Sequence, residues 1–237
     1  MNKENIKVGI VVLISCGIPA VVQRAFGPSP YMLSPGMLYV LWAVINFLFI
    51  TTVSELSSQY TKVFKLKKLK MQKMTFFVNL IVYYSFLIFI NLYFTQQIFI
   101  RDNQTLNRFT SVYILIVILI AYLLNLNSGQ FPEENETDST KIYNMREKGP
   151  FKFGKEKFAT LIGEYEDGFV MGVHSFKYED IKNIYNDKKQ DSLVIKGKDE
   201  EGNFRISVAA EKSKKELKDI LLKANKENKL VNGQVNL

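Results

Sequence analysis

One cysteine, one histidine and one tryptophan are all that 237 residues contain. A single thiol, Cys16, forms neither an intramolecular disulfide nor a thiolate metal cluster. A lone imidazole, His174, cannot supply the several nitrogen or sulfur ligands of a zinc site. It reads instead as a half-exposed strand residue, and no metal or cofactor is expected. Charge is missing altogether from four stretches, 8–22, 36–53, 75–94 and 111–126, which hold no Asp, Glu, Lys, Arg or His. Nor do they carry HExxH, Gly-x-Ser-x-Gly or paired acids. That argues against intramembrane hydrolysis and proton coupling, because both need ionisable groups at membrane depth.

What the four stretches do contain is apolar, and each approaches the roughly 20 residues a helix needs to cross about 30 Å of hydrocarbon. A mean hydropathy near zero and 47% hydrophobic residues conceal this division. Residues 1–130 carry eleven Lys and Arg against three acids, whereas 131–237 balance twenty against twenty. The net charge of +8 therefore lies in the apolar half. The neutral remainder offers no extended positive face for phosphates, so no nucleic-acid partner is expected. The predicted architecture is a membrane α-helical bundle over 1–126, with helices at about 6–23, 36–53, 75–94 and 111–126. It is followed by a linker (127–150), a small α+β domain (151–228) and a polar tail (229–237).

Local signals refine the bundle. Gly17-Ile18-Pro19 predicts a kink in the first helix. Ser34 as N-cap with Pro35 at the first helical position starts the second. Tyr39 and Trp42 fit an interfacial aromatic belt. Leu13-Ile14-Ser15-Cys16 is similar to a bacterial lipobox, and cleavage before Cys16 would leave three spans. Against it, the apolar run continues through Val22, whereas a signal peptide gives way to polar sequence. Asn46, Asn79 and Asn91 are the notable polar side chains within the runs. They read as interhelical hydrogen-bond contacts worth roughly 0.6–2 kcal/mol each. The competing reading makes them a stripe lining a transport cavity.

Orientation follows from Lys and Arg counts in the connections. The second loop holds Lys62, Lys65, Lys67, Lys68, Lys70 and Lys73, against one or two basic residues in each of the others. This places that loop, both termini and the C-terminal domain in the cytoplasm of a multi-pass cell-membrane protein. The same lysines are candidates for contact with anionic lipid headgroups, at roughly 1 kcal/mol per lysine near the surface. On a helical wheel they mix with Val63, Phe64, Leu66, Leu69, Met71 and Met74, so no amphipathic helix face is predicted.

Residues 127–140 are acidic and turn-rich, hence the linker. The sequons at Asn103 and Asn135 read as chance matches. From residue 151 short strands are predicted. One runs over 158–166 into the turn Asp167-Gly168, after which Phe169, Met171 and Val173 alternate. Another covers 176–186 with a bend, and a hairpin pairs 193–198 with 203–208. Ser213-x-x-Glu216 reads as a capping box, and Leu217, Ile220, Leu221 and Ala224 form an apolar helical stripe.

Tight hairpins closed by one C-terminal amphipathic helix resemble the bacterial pleckstrin-homology-like domains attached to membrane helices. The resemblance covers about 151–228 and rests on Asp167-Gly168, the stretch Phe176-Lys177-Tyr178-Glu179-Asp180-Ile181-Lys182-Asn183-Ile184, the hairpin over 193–208 and the helix over 213–224. It implies an antiparallel, barrel-like sheet closed by the final helix, in a binding or scaffolding module without catalysis. Phosphoinositide-binding members place basic residues at the first hairpin. Here that turn is Glu164-Tyr165-Glu166-Asp167-Gly168, which is acidic and argues against such binding.

The expected function is therefore non-catalytic: a protein embedded in the lipid bilayer whose domain binds a protein partner or itself. Envelope protection or bacteriocin-type immunity is a narrower form of this reading. A transporter or channel accessory subunit is the alternative. A surface enzyme would have to rely on acids such as Glu179 and Asp180, which read as solvated residues at a bend.

Overall fold

Inside hydrocarbon the backbone has no partner but itself, and a helix satisfies every interior N–H and C=O internally. The four uncharged runs accordingly form helices in the computed structural model, which describes residues 3–31, 35–126, 132–137, 139–145, 160–230 and 235–236. The helices are α1 (Lys3–Phe26), α2 (Gly36–Phe64), α3 (Met74–Phe99), a short α4 (Gln104–Phe109) and α5 (Val112–Leu126). Among the described residues four segments are long and apolar enough to cross a membrane: Asn5–Phe26, Gly36–Phe64, Met74–Phe99 and Gln104–Ala121. The last of these runs across the break between α4 and α5. Most helices outrun the apolar stretches that predicted them, because intrahelical bonding does not stop at the first polar side chain. Thus α2 continues through Glu55 and Lys62, and α1 carries Pro19 in its interior and still reaches Phe26.

The chain divides into two compact units, Met1–Ser58 with Phe77–Leu123 and Gln59–Phe76 with Leu124–Leu237. The first unit is apolar on its outside. Leu13, Val21, Val40, Leu48, Ile81, Ile88 and Val117 are each more than half exposed. An apolar surface of that extent is unfavourable in water and is consistent with contact with a lipid bilayer. The interior is aromatic. Trp42 is fully buried and stacks on Phe94 at 5.6 Å, with Ile98, Phe99 and Ile45 around it. Trp42 is thus a core residue and not part of an interfacial belt, because its indole N–H finds a partner inside (below).

Among the described residues the second unit holds ten strands: β1 (Lys70–Met71), β2 (Glu133–Thr137), β3 (Thr140–Met145), β4 (Ile162–Tyr165), β5 (Gly168–Met171), β6 (His174–Lys177), β7 (Ile181–Asp187), β8 (Ser192–Asp199), β9 (Gly202–Val208) and β10 (Val235–Asn236). It also contains the long helix α6 (Glu211–Lys226). A four-stranded sheet has the order β1-β4-β5-β6, and a six-stranded sheet the order β10-β7-β8-β9-β3-β2. A sheet-rich domain ending in a helix is what the hairpin signals predicted. Both sheets are open rather than closed barrels. The predicted bend in 176–186 is the 3₁₀ turn Tyr178–Asp180, where the chain leaves the first sheet as β6 and enters the second as β7.

Apolar residues from both sheets and the helix share one core. Phe169, Phe176, Ile184, Ile195, Phe204 and Ile206 are closed over by Leu217, Leu221 and Ala224, with Ile220 at the margin. Burying each leucine contributes about 1.5–3 kcal/mol. The helix starts at Glu211 with Ala210 as N-cap, so Ser213 lies inside the first turn, fully buried, and does not cap. Glu216 instead accepts a hydrogen bond from the Thr160 hydroxyl.

Two segments differ from expectation. The stretch read as linker contains β2 and β3: β3 runs parallel to β9, and β2 pairs antiparallel outside it. Tyr143 and Met145 anchor β3 in the core, while every residue of β2 is exposed. An acidic, turn-like composition is compatible with an edge strand, where charge discourages pairing with other chains. In the stretch read as a polar tail, Leu230 is buried in the core and β10 pairs parallel with β7.

Candidate functional site

In the first unit, polar atoms converge between α2 and α3. Trp42 Nε1 donates to Asn91 Oδ1 at 2.8 Å, and Asn46 Nδ2 donates to the same oxygen at 3.1 Å. Asn91 Nδ2 donates to Asn46 Oδ1 at 2.9 Å and to the Leu87 carbonyl at 2.7 Å. Trp42 and Asn46 are one helical turn apart, so both face the same side of α2. The i, i+4 spacing of Trp42 and Asn46 is the signal that the sequence carries for this cluster. Asn79 is buried but lies twelve residues before Asn91 on α3, about 18 Å along the helix at 1.5 Å per residue. The three asparagines therefore do not converge on one point, and two of them satisfy each other. A second polar group ties α3 to α4: Thr110 Oγ1 donates to Gln96 Oε1 at 2.6 Å, and Gln96 also bonds Asn107.

In the second unit, the lysine-rich segment is ordered by the sheet. After Phe64 the helix stops, and β1 pairs antiparallel with β4 in the register Lys70↔Glu164 and Met71↔Gly163. The Glu166 N–H adds a bond to the Lys67 carbonyl at 3.0 Å. Close approach of the two strands depends on Gly163: a Cβ there would stand 2.5 Å from the Met71 Cβ and 3.0 Å from the Lys70 carbonyl oxygen. Val63, Phe64, Leu66, Leu69 and Met71 pack on Tyr165 and Val170, on the face of the sheet away from the main core. This explains why all four residues of β5 are buried instead of alternating. Burial pushes the Tyr165 hydroxyl up to about 12.

With the apolar side chains turned to the sheet, all six lysines are exposed. Lys68 pairs with Glu166 at 2.6 Å, and Lys73 sits 5.3 Å from the Phe64 ring centre. Lys62, Lys65, Lys67 and Lys70 make no ion pair among the described residues. The segment is amphipathic after all. The helical wheel missed it because most of the segment is turn and strand rather than helix.

The acidic turn borders a surface hollow of about 300 Å³ lined by Glu166, Asp167, Lys177, Tyr178, Glu179 and Lys229. Glu179 is paired with Lys177 at 3.1 Å. Burial raises the Asp180 carboxyl above its usual range, and nearby Glu179, Asp199 and Glu200 reinforce that against Lys177. His174, half-buried on β6, bonds Glu134 of β2 and lies 4.9 Å from the Tyr143 ring, joining the two sheets. Burial lowers its pKa below the ordinary value, against the raising influence of Glu134. Among the described residues no group of three or more His, Cys, Asp or Glu could hold a metal ion. Compared with protein-family models, curated proteins and solved structures, the chain matches none.

Proposed function

We propose that this chain is a non-catalytic, multi-pass cell-membrane protein whose C-terminal domain faces the cytoplasm and binds a protein partner or a second copy of itself, organising a membrane complex. The reading takes the domain as pleckstrin-homology-like, with β4 to β9 as its hairpin strands and α6 as the closing helix. The observation that carries it is the incorporation of the loop between the second and third spans as an edge strand of the domain. The domain is thereby tied to the spans by two stretches of chain, through 59–76 as well as after residue 123. Such a double attachment suits a module that receives a partner and holds it at the membrane. The lysine excess on that loop supports the cytoplasmic assignment.

Envelope protection or bacteriocin-type immunity is the narrower form of the proposal. It predicts that deleting the gene alters tolerance to membrane-active peptides, and unchanged tolerance removes it. The accessory-transporter reading gains nothing from the asparagines, since Asn46 and Asn91 saturate each other. The general proposal is tested by crosslinking in native membranes, purification and mass spectrometry. A reproducible partner or a homo-oligomer is expected, and a monomer crosslinked to nothing defeats the reading.

A further inference from the structure

The geometry points to the docked loop as a preformed contact for anionic lipid headgroups, shaped by the sheet it covers and not merely by its sequence. This inference rests on the proposed membrane reading, with the loop on the inner side of the bilayer.

Three observations combine. The first is an excess of positive charge over the nearby acids. Glu164 is bonded through both oxygens to Lys223 at 2.6 and 2.8 Å, Glu166 to Lys68, and Glu227 to Lys229 at 2.9 Å. Glu164, Glu166 and Glu227 are each matched with a lysine, whereas Asp167 of the same turn acts on Lys68 only through space. Lys62, Lys65, Lys67 and Lys70 make no ion pair among the described residues, and they outnumber Asp167.

The second is order. Pairing with β4, the Glu166–Lys67 backbone bond and the apolar contacts on Tyr165 and Val170 fix the backbone that carries these lysines. A segment already ordered forfeits less conformational freedom on binding. The third is position. Only residues 65–73 separate the second candidate span, which ends at Phe64, from the third, which begins at Met74. The anions available to such a juxtamembrane segment are lipid phosphates.

Docking also has a negative role. It partly covers Phe64, Leu66, Leu69 and Met71, which when fully exposed would favour insertion into any bilayer regardless of headgroup charge. The docked form therefore discriminates by charge, and the released form does not.

The test uses the full-length protein reconstituted in phosphatidylcholine bilayers with spin-labelled phosphatidylglycerol or spin-labelled phosphatidylcholine. The ratio of their association constants at the protein is the readout. A ratio of roughly fivefold, the contribution of one well-placed lysine, is expected, falling towards one in high salt. Replacing Lys62, Lys65, Lys67 and Lys70 by Gln should bring it near one. Gly163→Val, from the sheet side, and Leu69→Ser with Met71→Ser, from the loop side, keep every charge and should each lower the ratio at least twofold. The loop-side variant leaves the strands from β2 onward unaltered, so it does not depend on the domain tolerating Gly163→Val.

If the lysine variant loses selectivity while both docking variants keep the wild-type ratio, the inference is overturned and a simple polybasic contact remains. If the lysine variant keeps the ratio, the loop is not the lipid contact at all. Protein that fails to float with the vesicles defeats the underlying membrane reading instead.

Discussion

Replacing Asn91 by Leu removes the hub of the buried cluster between α2 and α3. Four hydrogen bonds disappear, three of them to α2. Trp42 and Asn46, both 0% exposed, are left with an indole N–H and an amide facing apolar neighbours. Interhelical bonds in membranes contribute about 0.6 kcal/mol each on average, and each buried polar group stranded without a partner costs about 1–3 kcal/mol. The two stranded groups set the scale, a loss of about 2–6 kcal/mol. Adding Asn46→Leu removes one of the stranded groups, so the double variant should be about 1–2 kcal/mol more stable than the sum of the single losses. The single tryptophan of the chain sits inside this cluster and reports on it directly. Unfolding in mixed detergent micelles, followed by Trp42 emission, gives all four stabilities of the cycle. Asn91→Leu should also shift native emission to the blue, since the indole loses a polar partner. Additive losses, with a coupling energy within about 0.3 kcal/mol of zero, would refute the hub.

Three further outcomes concern the sheet-rich unit. Gly168→Ala should destabilise it by about 1–3 kcal/mol, read by thermal melting, because a Cβ there meets the Phe176 carbonyl oxygen and stands 2.9 Å from the Lys177 Cα. Leu217→Ala and Leu221→Ala should each cost about 2–5 kcal/mol, with Ile220→Ala milder because that residue is only partly buried. The lowered pKa of His174 means that the folded domain disfavours its protonation. Its contribution is fully present above the ordinary value of 6.5 and is lost as pH falls below it. Melting temperature against pH should fall less steeply on acidification in His174→Gln than in the wild type, and the reverse order would contradict the burial argument.

The helices and the hairpins were readable because their signals are local. Absence of charge over 15 or more residues needs no knowledge of neighbours, and neither does the i, i+3, i+4, i+7 spacing of Leu217, Ile220, Leu221 and Ala224. What escaped was every feature decided by a distant partner. Asp167-Gly168 looked like a turn, but Gly168 is demanded by the approach of β6 rather than by its own torsion. β2 has no apolar residue and becomes a strand only because β3 offers it an edge. Met71 is matched to Gly163 across some ninety residues, and no periodicity records such a match. Among the polar residues of the bundle, type and setting marked Asn46 and Asn91. Their mutual choice, and the inclusion of Trp42, depended on how α2 and α3 pack.

Because β1 is drawn from the connection between two helices, the C-terminal domain is not a contiguous piece of chain. A fragment beginning after residue 126 would lack it, leaving the β4 edge unpaired and Tyr165 and Val170 uncovered. Such a fragment is expected to stick to itself, and a synthetic peptide spanning 62–73 should restore its solubility. During synthesis the order is reversed: the ribosome delivers this strand long before β4 exists, so the last-made half of the protein completes itself on a piece made early.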